Sequence, residues 1–573
     1  MTAHDTYLGL RVFVDELARC GLREACTSPG SRSTPLVLSL AREPRIRASS
    51  HLDERCAAFF ALGAAKASGV PAALACTSGT AAANFAPAVI EAHEARVPML
   101  VLTADRPPEL RHLGAGQTID QVKLYGSAAK WFIEVDAHPA TPERLRWLRQ
   151  LACRAFWTAV DGRPGPVHLN FSLREPFVLD GPLPEDGGGR AGGRPWVTRP
   201  RVAGGPAGEL LDGLRAELEA RPHAVVVAGR SERDPALGPA LAAFAERAAI
   251  PLLADPLSGA RRGPAAIAHY DALLRDVGWA ALHAPQLVLR VGDLPTSKPL
   301  RRWLHGLDDA LQLTFDAEAA WQDPAGAVAT ILAADPRATL EAVRLGPRDG
   351  AWLDRWRRAD RAAGAGIARA LAPAGLSEPR VAAELGTALP APATVVVASS
   401  MPVRDVETFF PAREHPPRVL ANRGANGIDG TVSTAFGVAA VADGPVVLLI
   451  GDVALIHDLG ALLVARRLGH RITIVLLHND GGGIFDFLPV SGEGPDYVEH
   501  VATPHGLDFA HAATLFGCGY EIAEDVEGFR AALGRALSAD RTSIVAVRTD
   551  RQANVALHGA VWEEVAGSIR AGA

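Results

Sequence analysis

The chain repeats one pattern of hydrophobic and polar positions three times. Short runs of consecutive apolar residues, each closed by a polar or glycine-bearing turn, alternate with longer segments whose apolar residues recur at helical spacing. Uninterrupted apolar runs of this length mark strands buried on both faces of a parallel sheet. In the first third they predict strands over residues 72–76, 99–103 and 167–171, with helices near 7–20, 34–41, 54–69 and 81–93. The middle third predicts strands over 224–228, 287–291 and 311–315. After a helical stretch, "AWLDRWRRADRAAGAGIARALA", the last third predicts strands over 394–398, 446–450, 472–477 and 543–547, and a helix over 458–468. The expected fold class is α/β, with three doubly wound parallel-sheet domains. The expected boundaries are a first domain over 1–180, a Gly/Pro-rich linker over 181–205, a central domain over 206–345 and a third domain over 346–573.

Composition narrows the partners. The 573 residues are 48% hydrophobic and 21% charged, with a formal net charge of −6, the balance of a soluble globular chain. No basic excess points to nucleic acid or to a membrane surface, and no apolar run reaches transmembrane length. The six cysteines lack metal-site spacing and several lie in apolar surroundings, which reads as reduced core thiols. The N-terminal stretch reads as an amphipathic helix rather than a secretory signal, so the expected location is cytoplasmic. Arginine is used almost everywhere, with only four lysines, Lys66, Lys123, Lys130 and Lys298.

Candidate chemistry gathers where apolar runs end. The run 446–450 ends in Gly451-Asp452-Val453, and the run 472–477 leads to Asn479-Asp480-Gly481. A β-α-β unit here carries a carboxylate at one strand tip and a carboxamide at the next, at the edge where open sheets bind ligands. Hard oxygen donors there suit Mg²⁺, although ordinary turns use the same residue types. In "TSPGSRSTPL", Pro29-Gly30 makes a turn, Ser31 or Ser33 is placed to cap the next helix, and Arg32 stands at its N-terminus, a position that favours an anion. In "HLDER", Asp53 and Glu54 fall in the first turn of an apolar helix, with Cys56, Ala57, Phe59 and Phe60 to keep the neighbourhood dry. Strand-end loops further present Asp105, Arg106 and Gln117, then Lys298, then Ser400 and Arg404. The loop "LANRGANGIDGTVSTAFG" carries Arg423 and Ile428, and its amides around Gly430-Thr431-Val432-Ser433 suit a phosphate. Arg32, Arg106, Lys298, Arg404 and Arg423 all lie in such loops, which argues for polyanionic substrates.

The segments "SPGSRSTPL", "HLDER", "TSGTAAANFAPAVIEAHEARVPMLVLTADRPPELR", "GAGQTIDQ", "NRGANGIDGTVSTAFG", "GDVALIHDLGAL" and "NDGGGIFDFLP" together resemble the 2-succinyl-5-enolpyruvyl-6-hydroxy-3-cyclohexene-1-carboxylate synthase family of thiamine-diphosphate (ThDP) enzymes. The resemblance is dense in the first and third domains and thin in the second. It implies that the first domain binds the pyrimidine and the third the diphosphate. It makes Glu54 the acid that hydrogen-bonds N1′ of the cofactor, with Asp53 the alternative. It implies Mg²⁺, replaceable by Mn²⁺, on the side chains of Asp452 and Asn479 and the carbonyl of Gly481. Further cofactor contacts are implied at Thr77, Ser400, Ile428, Gly430 and Thr431. Substrate contacts are implied at Ser31, Arg32, Arg106, Gln117, Lys298, Ser400, Arg404, Arg423, Ile484 and Phe485. The implied reaction decarboxylates 2-oxoglutarate and adds the succinyl unit to isochorismate, a Stetter-like 1,4-addition in menaquinone biosynthesis. The implied assembly is a homodimer or homotetramer with shared active sites, Glu54 of one chain facing the diphosphate domain of another. The chain departs from the pattern at Val453, at Gly116 where relatives can carry Asn, and at Pro299 where relatives can carry Arg; Arg301 or Arg302 are the candidates for that missing charge. Two other readings compete: another ThDP-dependent 2-oxo acid decarboxylase or carboligase, acetolactate-synthase-like, and a non-catalytic ThDP-binding protein. Retention of Glu54 speaks against the second, because storage needs a metal site and not cofactor activation.

Overall fold

Three parallel sheets organise the chain. The structure is a computed structural model that describes residues 2–185, 188–200 and 205–571. Of the expected linker, residues 186–187 and 201–204 lie outside the described residues.

The first sheet contains β1 (Glu24–Thr27), β2 (Arg47–Ser50), β3 (Ala72–Cys76), β4 (Met99–Asp105), β5 (Trp131–Asp136) and β6 (Pro166–Ser172), in the order β2-β1-β3-β4-β6-β5. All its neighbours run parallel. β3, β4 and β6 are buried at every position, as strands covered on both faces must be. Helices α1 (Ala3–Cys20), α2 (Thr34–Ala41), α3 (Glu54–Ser68), α4 (Thr80–Ala83), α5 (Ala86–Ala95) and α6 (Pro142–Val160) connect or cover them. The single helix expected over 81–93 is two helices. Pro87, in the first turn of α5, has no N–H to continue an earlier helix and is pre-set to start a new one.

The central sheet contains β7 (Ala224–Ala228), β8 (Leu252–Ala254), β9 (Leu287–Val291), β10 (Leu311–Phe315) and β11 (Thr330–Leu332), in the order β11-β10-β9-β7-β8. Its helical cover includes α7 (Lys298–His305), between β9 and β10, and it is followed by α8 (Ala351–Leu371). The third sheet contains β12 (Thr394–Val397), β13 (Arg418–Leu420), β14 (Val446–Gly451), β15 (Thr473–His478), β16 (Gly519–Ala523) and β17 (Ser543–Arg548), in the order β13-β12-β14-β15-β17-β16. Its helices include α9 (Glu378–Ala388), α10 (Met401–Phe409), α11 (Thr431–Ala439), α12 (Asp452–His457), α13 (Leu463–Leu468) and α14 (Arg551–Ala571). The helix expected over 458–468 is a 3₁₀ turn, Leu459–Leu462, that runs into α13, and a separate helix not expected, α12, begins at Asp452; the backbone leaves α12 at Asp458 (φ −128°). The Asp458 carboxylate is drawn away to the Ser433 amide, 2.6 Å, and hydroxyl, 3.0 Å.

The first and third sheets have the same strand order, and each reverses direction between its first and third strands. Open α/β sheets bind ligands beyond the strand ends at such a reversal. That rule points to the turns after β1 and β3, and to those after β12 and β14. In the central sheet the equivalent ends, after β7 and β9, are closed on themselves. A Cβ on Gly229 would stand 1.6 Å from the Asp293 carbonyl oxygen, and Arg230 pairs with Asp293.

The chain divides into two compact units. One comprises Met1–Val202, Asn422–Ala442 and His457–Arg471; the other comprises Ala203–Ala421, Asp443–Ile456 and Ile472–Ala573. In the first unit α3 and α11 cross at close range. A Cβ on Gly63 would lie 2.1 Å from the Thr434 carbonyl oxygen, and one on Gly437 would lie 1.9 Å from that of Phe60. In the second, Trp356 of α8 is fully buried beside Trp279, Trp303 and Trp352. Among the described residues no helix is long and apolar enough to cross a membrane.

Candidate active site

In the first unit, the turn after β1 meets the turn after β3. A Cβ on Gly30 would stand 2.3 Å from Thr77 Cβ, so glycine lets the two strand ends touch. Arg32 is buried here. Its Nη1 donates to the Leu173 carbonyl at 2.5 Å, its guanidinium lies 4.9 Å from the centre of the Phe177 ring, and its buried Nε has no partner. Burial and then the charge of Arg106 hold the Arg32 guanidinium below its ordinary pKa. Arg106 leaves β4 with its amide on Asp105 Oδ1, 2.7 Å, and its guanidinium donates to Ser78 Oγ. Ser78 is locked to Gln117 both ways: its hydroxyl donates to the Gln117 carbonyl, 3.1 Å, and Gln117 Nε2 donates to the Ser78 carbonyl, 3.0 Å. Arg32, Thr77, Arg106 and Gln117 are thus brought together, while Ser31 is exposed. Neither serine caps α2 as expected. Ser33 occupies the cap position, but its hydroxyl donates to the Gly30 carbonyl, 3.1 Å, and tightens the turn instead.

Asp53 and Glu54 have separate roles. Asp53 is the N-cap of α3, accepting from the amides of Arg55, 2.8 Å, and Cys56, 3.1 Å. Glu54, the first residue of α3, is half-buried, and burial followed by the Asp53 charge raises its pKa. Its charge is felt by the Cys76 thiol at the end of β3, next to Thr77. One turn along α3, the Phe59 ring lies where a Gly430 side chain would be, 2.0 Å from an added Cβ, and Gly430 has φ +63°. Only glycine fits both demands. The loop that carries Arg423 and Ile428 is held by buried Glu91, which accepts from the amides of Gly424, 2.8 Å, and Ala425, 2.6 Å. Of the amides expected to face a phosphate, that of Ser433 is engaged by Asp458. Burial pushes the Asp458 carboxyl up to about 6.

In the second unit, Ser400 follows β12 with φ +75°, a conformation that costs a non-glycine residue roughly 1–3 kcal/mol and marks functional turns. Arg404 donates to the Ser400 carbonyl. Partial desolvation and then the charge of Arg301 lower the Arg404 pKa, so Arg301 is the cation beside it; Arg302 lines a separate cavity with Trp303 and Trp562. Lys298 is the exposed first residue of α7, behind the Ser297 cap.

After β14, buried Asp452 gathers the loop that follows β15. Its Oδ2 accepts from the amides of Asn479, 3.0 Å, Asp480, 2.6 Å, and Gly481, 3.3 Å, and lies 3.4 Å from His505 Nε2. Gly481 (φ +139°) leaves no room for a side chain, since a Cβ would stand 2.4 Å from the Ala502 carbonyl oxygen. Asn479 donates through Nδ2 to Glu378 Oε1, 2.9 Å, while its Oδ1 is buried without a partner. An orphaned carbonyl oxygen of this kind costs about 1–3 kcal/mol unless a donor or cation meets it. That oxygen, the adjacent carboxylate and the glycine carbonyl are the hard donor set a divalent cation takes, so the residues fit a metal. Ile484 is half-buried and Phe485 exposed in the turn Gly483–Phe487.

Comparison with known proteins shows the family. Residues 9–124 match the N-terminal TPP binding domain of thiamine pyrophosphate enzymes, and residues 401–547 match the C-terminal TPP binding domain. The chain is 42% identical to the 2-succinyl-5-enolpyruvyl-6-hydroxy-3-cyclohexene-1-carboxylate synthase of Chloroflexus aurantiacus, covering 99% of this chain and 98% of that one. It is 42% identical to the protein of the same name from Geobacillus thermodenitrificans (97% and 96% covered) and 40% identical to that from Listeria innocua (100% of each). The chain belongs to this synthase family.

Membership in the synthase family covers the whole chain, including the central domain where the sequence motifs were thin. Sequence reasoning missed several residues that shape the site of this synthase-family chain. Ser78 follows Thr77 in the segment beginning "TSGTAAANF" and was not singled out. Glu91 and Asp458 lie within helical patterns and look like solvated charges. Glu378 precedes Asn479 by 101 residues and carries no local signal.

Proposed function

We propose that this chain decarboxylates 2-oxoglutarate on thiamine diphosphate and adds the four-carbon unit to isochorismate. The products are 2-succinyl-5-enolpyruvyl-6-hydroxy-3-cyclohexene-1-carboxylate and CO₂, in menaquinone biosynthesis. The observation that carries the reading is the pair of neighbouring guanidiniums, Arg32 and Arg106, at the strand ends that also receive Glu54. Two like charges brought together in a partly dry crevice, with Asp105 and Glu175 the carboxylates felt by Arg32, favour an anionic ligand, and both substrates are carboxylates.

When bound, thiamine diphosphate supplies the electron sink for decarboxylation and carbon–carbon bond formation. Glu54 would hydrogen-bond N1′ of its aminopyrimidine, and the raised pKa of this carboxyl suits a group that shares a proton there. Asp452, Asn479 and the Gly481 carbonyl would hold Mg²⁺, or Mn²⁺ in its place. Thr77, Ser400, Ile428, Gly430 and Thr431 would hold the cofactor, with Ile428 as its apolar contact. Ser31, Arg32, Arg106, Gln117, Lys298, Ser400, Arg404 and Arg423 would orient the substrate carboxylates, and Ile484 and Phe485 would exclude water. In this reading residues 1–180 bind the pyrimidine and 346–573 the diphosphate, with 206–345 as the central domain and 181–205 as the linker. The assembly is a homodimer or homotetramer with shared sites. The chain acts in the cytoplasm, a setting that its six buried, unpaired cysteines suit. The test is product analysis by mass spectrometry with ThDP, Mg²⁺, 2-oxoglutarate and isochorismate. The synthase product is expected; an acetolactate-type product from pyruvate, with none from 2-oxoglutarate, would overturn the substrate assignment.

A further inference from the structure

Glu378 is a buried carboxylate with no ion-pair partner among the described residues, and it sits beside the candidate metal loop. It is the first residue of α9, and its neighbours come from two distant parts of the second unit, the loop after β15 and the residues around the start of α14. Oε1 accepts from Asn479 Nδ2, 2.9 Å, and from Thr549 Oγ1, 2.9 Å; Oε2 accepts from Asn554 Nδ2, 3.0 Å. Thr549 also donates its amide to the His478 carbonyl, 3.0 Å, so the peptide just before Asn479 is tied to the same cluster.

We propose that Glu378 is a positioning residue for the metal ligand Asn479: it fixes the carboxamide so that Oδ1, and not Nδ2, is presented to the cation. The inference rests on the thiamine-diphosphate reading above. A carboxamide is nearly symmetrical in shape, so packing alone does not decide which end faces the metal. A carboxyl oxygen that accepts from both Asn479 and Thr549 does decide it, because only the NH₂ end can donate to it. With Nδ2 held, Oδ1 is left buried and unpartnered on the other side, the state found here. The negative charge also polarises the amide through its N–H, leaving more charge on Oδ1 and making it a better ligand. Glu378 and Asn479 are therefore the outer and inner halves of one device. The burial of an unpaired carboxylate is explained by the divalent charge it helps to hold.

The test measures the Mg²⁺ dissociation constant by titrating Mg²⁺ into the full chain at saturating ThDP, followed by tryptophan fluorescence. Glu378→Gln keeps the shape and removes the charge. It is expected to raise the constant about 10–100-fold, the effect usual for an outer partner of a metal ligand. Asn479→Ala is expected to raise it too, and adding Glu378→Gln to that background is expected to change it less than about twofold, because the two act through one oxygen. Glu378→Asp withdraws the carboxylate by one methylene and is measured in parallel, in case the Gln variant does not fold. A folded variant of either kind that binds Mg²⁺ as the wild type does would overturn the assignment. So would a full Glu378→Gln effect that persists in the Asn479→Ala background. Absence of Mg²⁺-dependent ThDP binding in the wild type is a different result: it removes the cofactor reading, and this inference with it.

Discussion

Glu54 and Asp53 are adjacent carboxylates at one helix start, and their surroundings separate them. Asp53 is spent on two backbone amides, whereas Glu54 is half-buried with a raised pKa beside the end of β3. Glu54→Gln keeps the size and removes the exchangeable acid. Turnover should fall about 100- to 10,000-fold, the range for losing a positioned acid–base group, while Mg²⁺-dependent ThDP binding is largely kept; wild-type turnover in that variant would sink the assignment. Asp458 offers a test of burial without reference to catalysis. Burial raises its folded pKa to about 6, above the ordinary aspartate value of 3.8. Between those pH values the folded chain binds more protons than the unfolded one, so the group's contribution is present below about pH 4 and is lost as pH rises to about 6. The change is on the order of 3 kcal/mol. The difference in Tm between wild type and Asp458→Asn should therefore shift against the wild type from pH 4 to 6 and level off above. A constant difference across that range would show that Asp458 is not held as described.

At the scale of elements, the α3–α11 crossing depends on two glycines whose missing side chains are replaced by carbonyl oxygens of the opposite helix. Gly63→Ala forces a methyl group against the Thr434 carbonyl and should destabilise by about 1–3 kcal/mol in urea unfolding. Gly567→Ala, in open space on α14, should instead stabilise by about 0.5–1 kcal/mol through helix propensity. Equal tolerance of both changes would contradict the close crossing. The same elements show what the amino-acid pattern makes legible. β3 and β7 were expected at their observed residues, because uninterrupted apolar runs suit a parallel sheet buried on both faces; β9 (LVLRV) and β10 (LQLTF) were expected there too, although Arg290, Gln312 and Thr314 interrupt their apolar residues. β1 (EACT) and β2 (RASS) carry no such run and form through their neighbours, so they were not expected. The site divides similarly. Asp452 and Asn479 stand in a spacing that can be read along the chain, but the partners that fix them, Glu378 and His505, are brought in by the fold.

For the whole molecule, the first and third sheets repeat one strand order, and the proposed residues fall on matching strand ends in each. Ser31 and Arg32 follow β1 and Thr77 follows β3; Ser400 and Arg404 follow β12 and Asp452 follows β14. The central sheet closes its own equivalent ends, and in the proposed reading its contribution is Lys298 and Arg301 from α7. A shared site in a symmetric dimer has a direct consequence. Glu54→Gln and Asp452→Ala chains, each inactive alone, should regain activity when unfolded and refolded together, up to about a quarter of wild type for random pairing. No recovery would show that each site draws both residues from one chain. The central claim is the reaction itself, and CO₂ release from 2-oxoglutarate with ThDP and Mg²⁺, with and without isochorismate, tests it most directly. Rapid release that requires isochorismate is the predicted result; no release from 2-oxoglutarate by a chain that binds ThDP would contradict it.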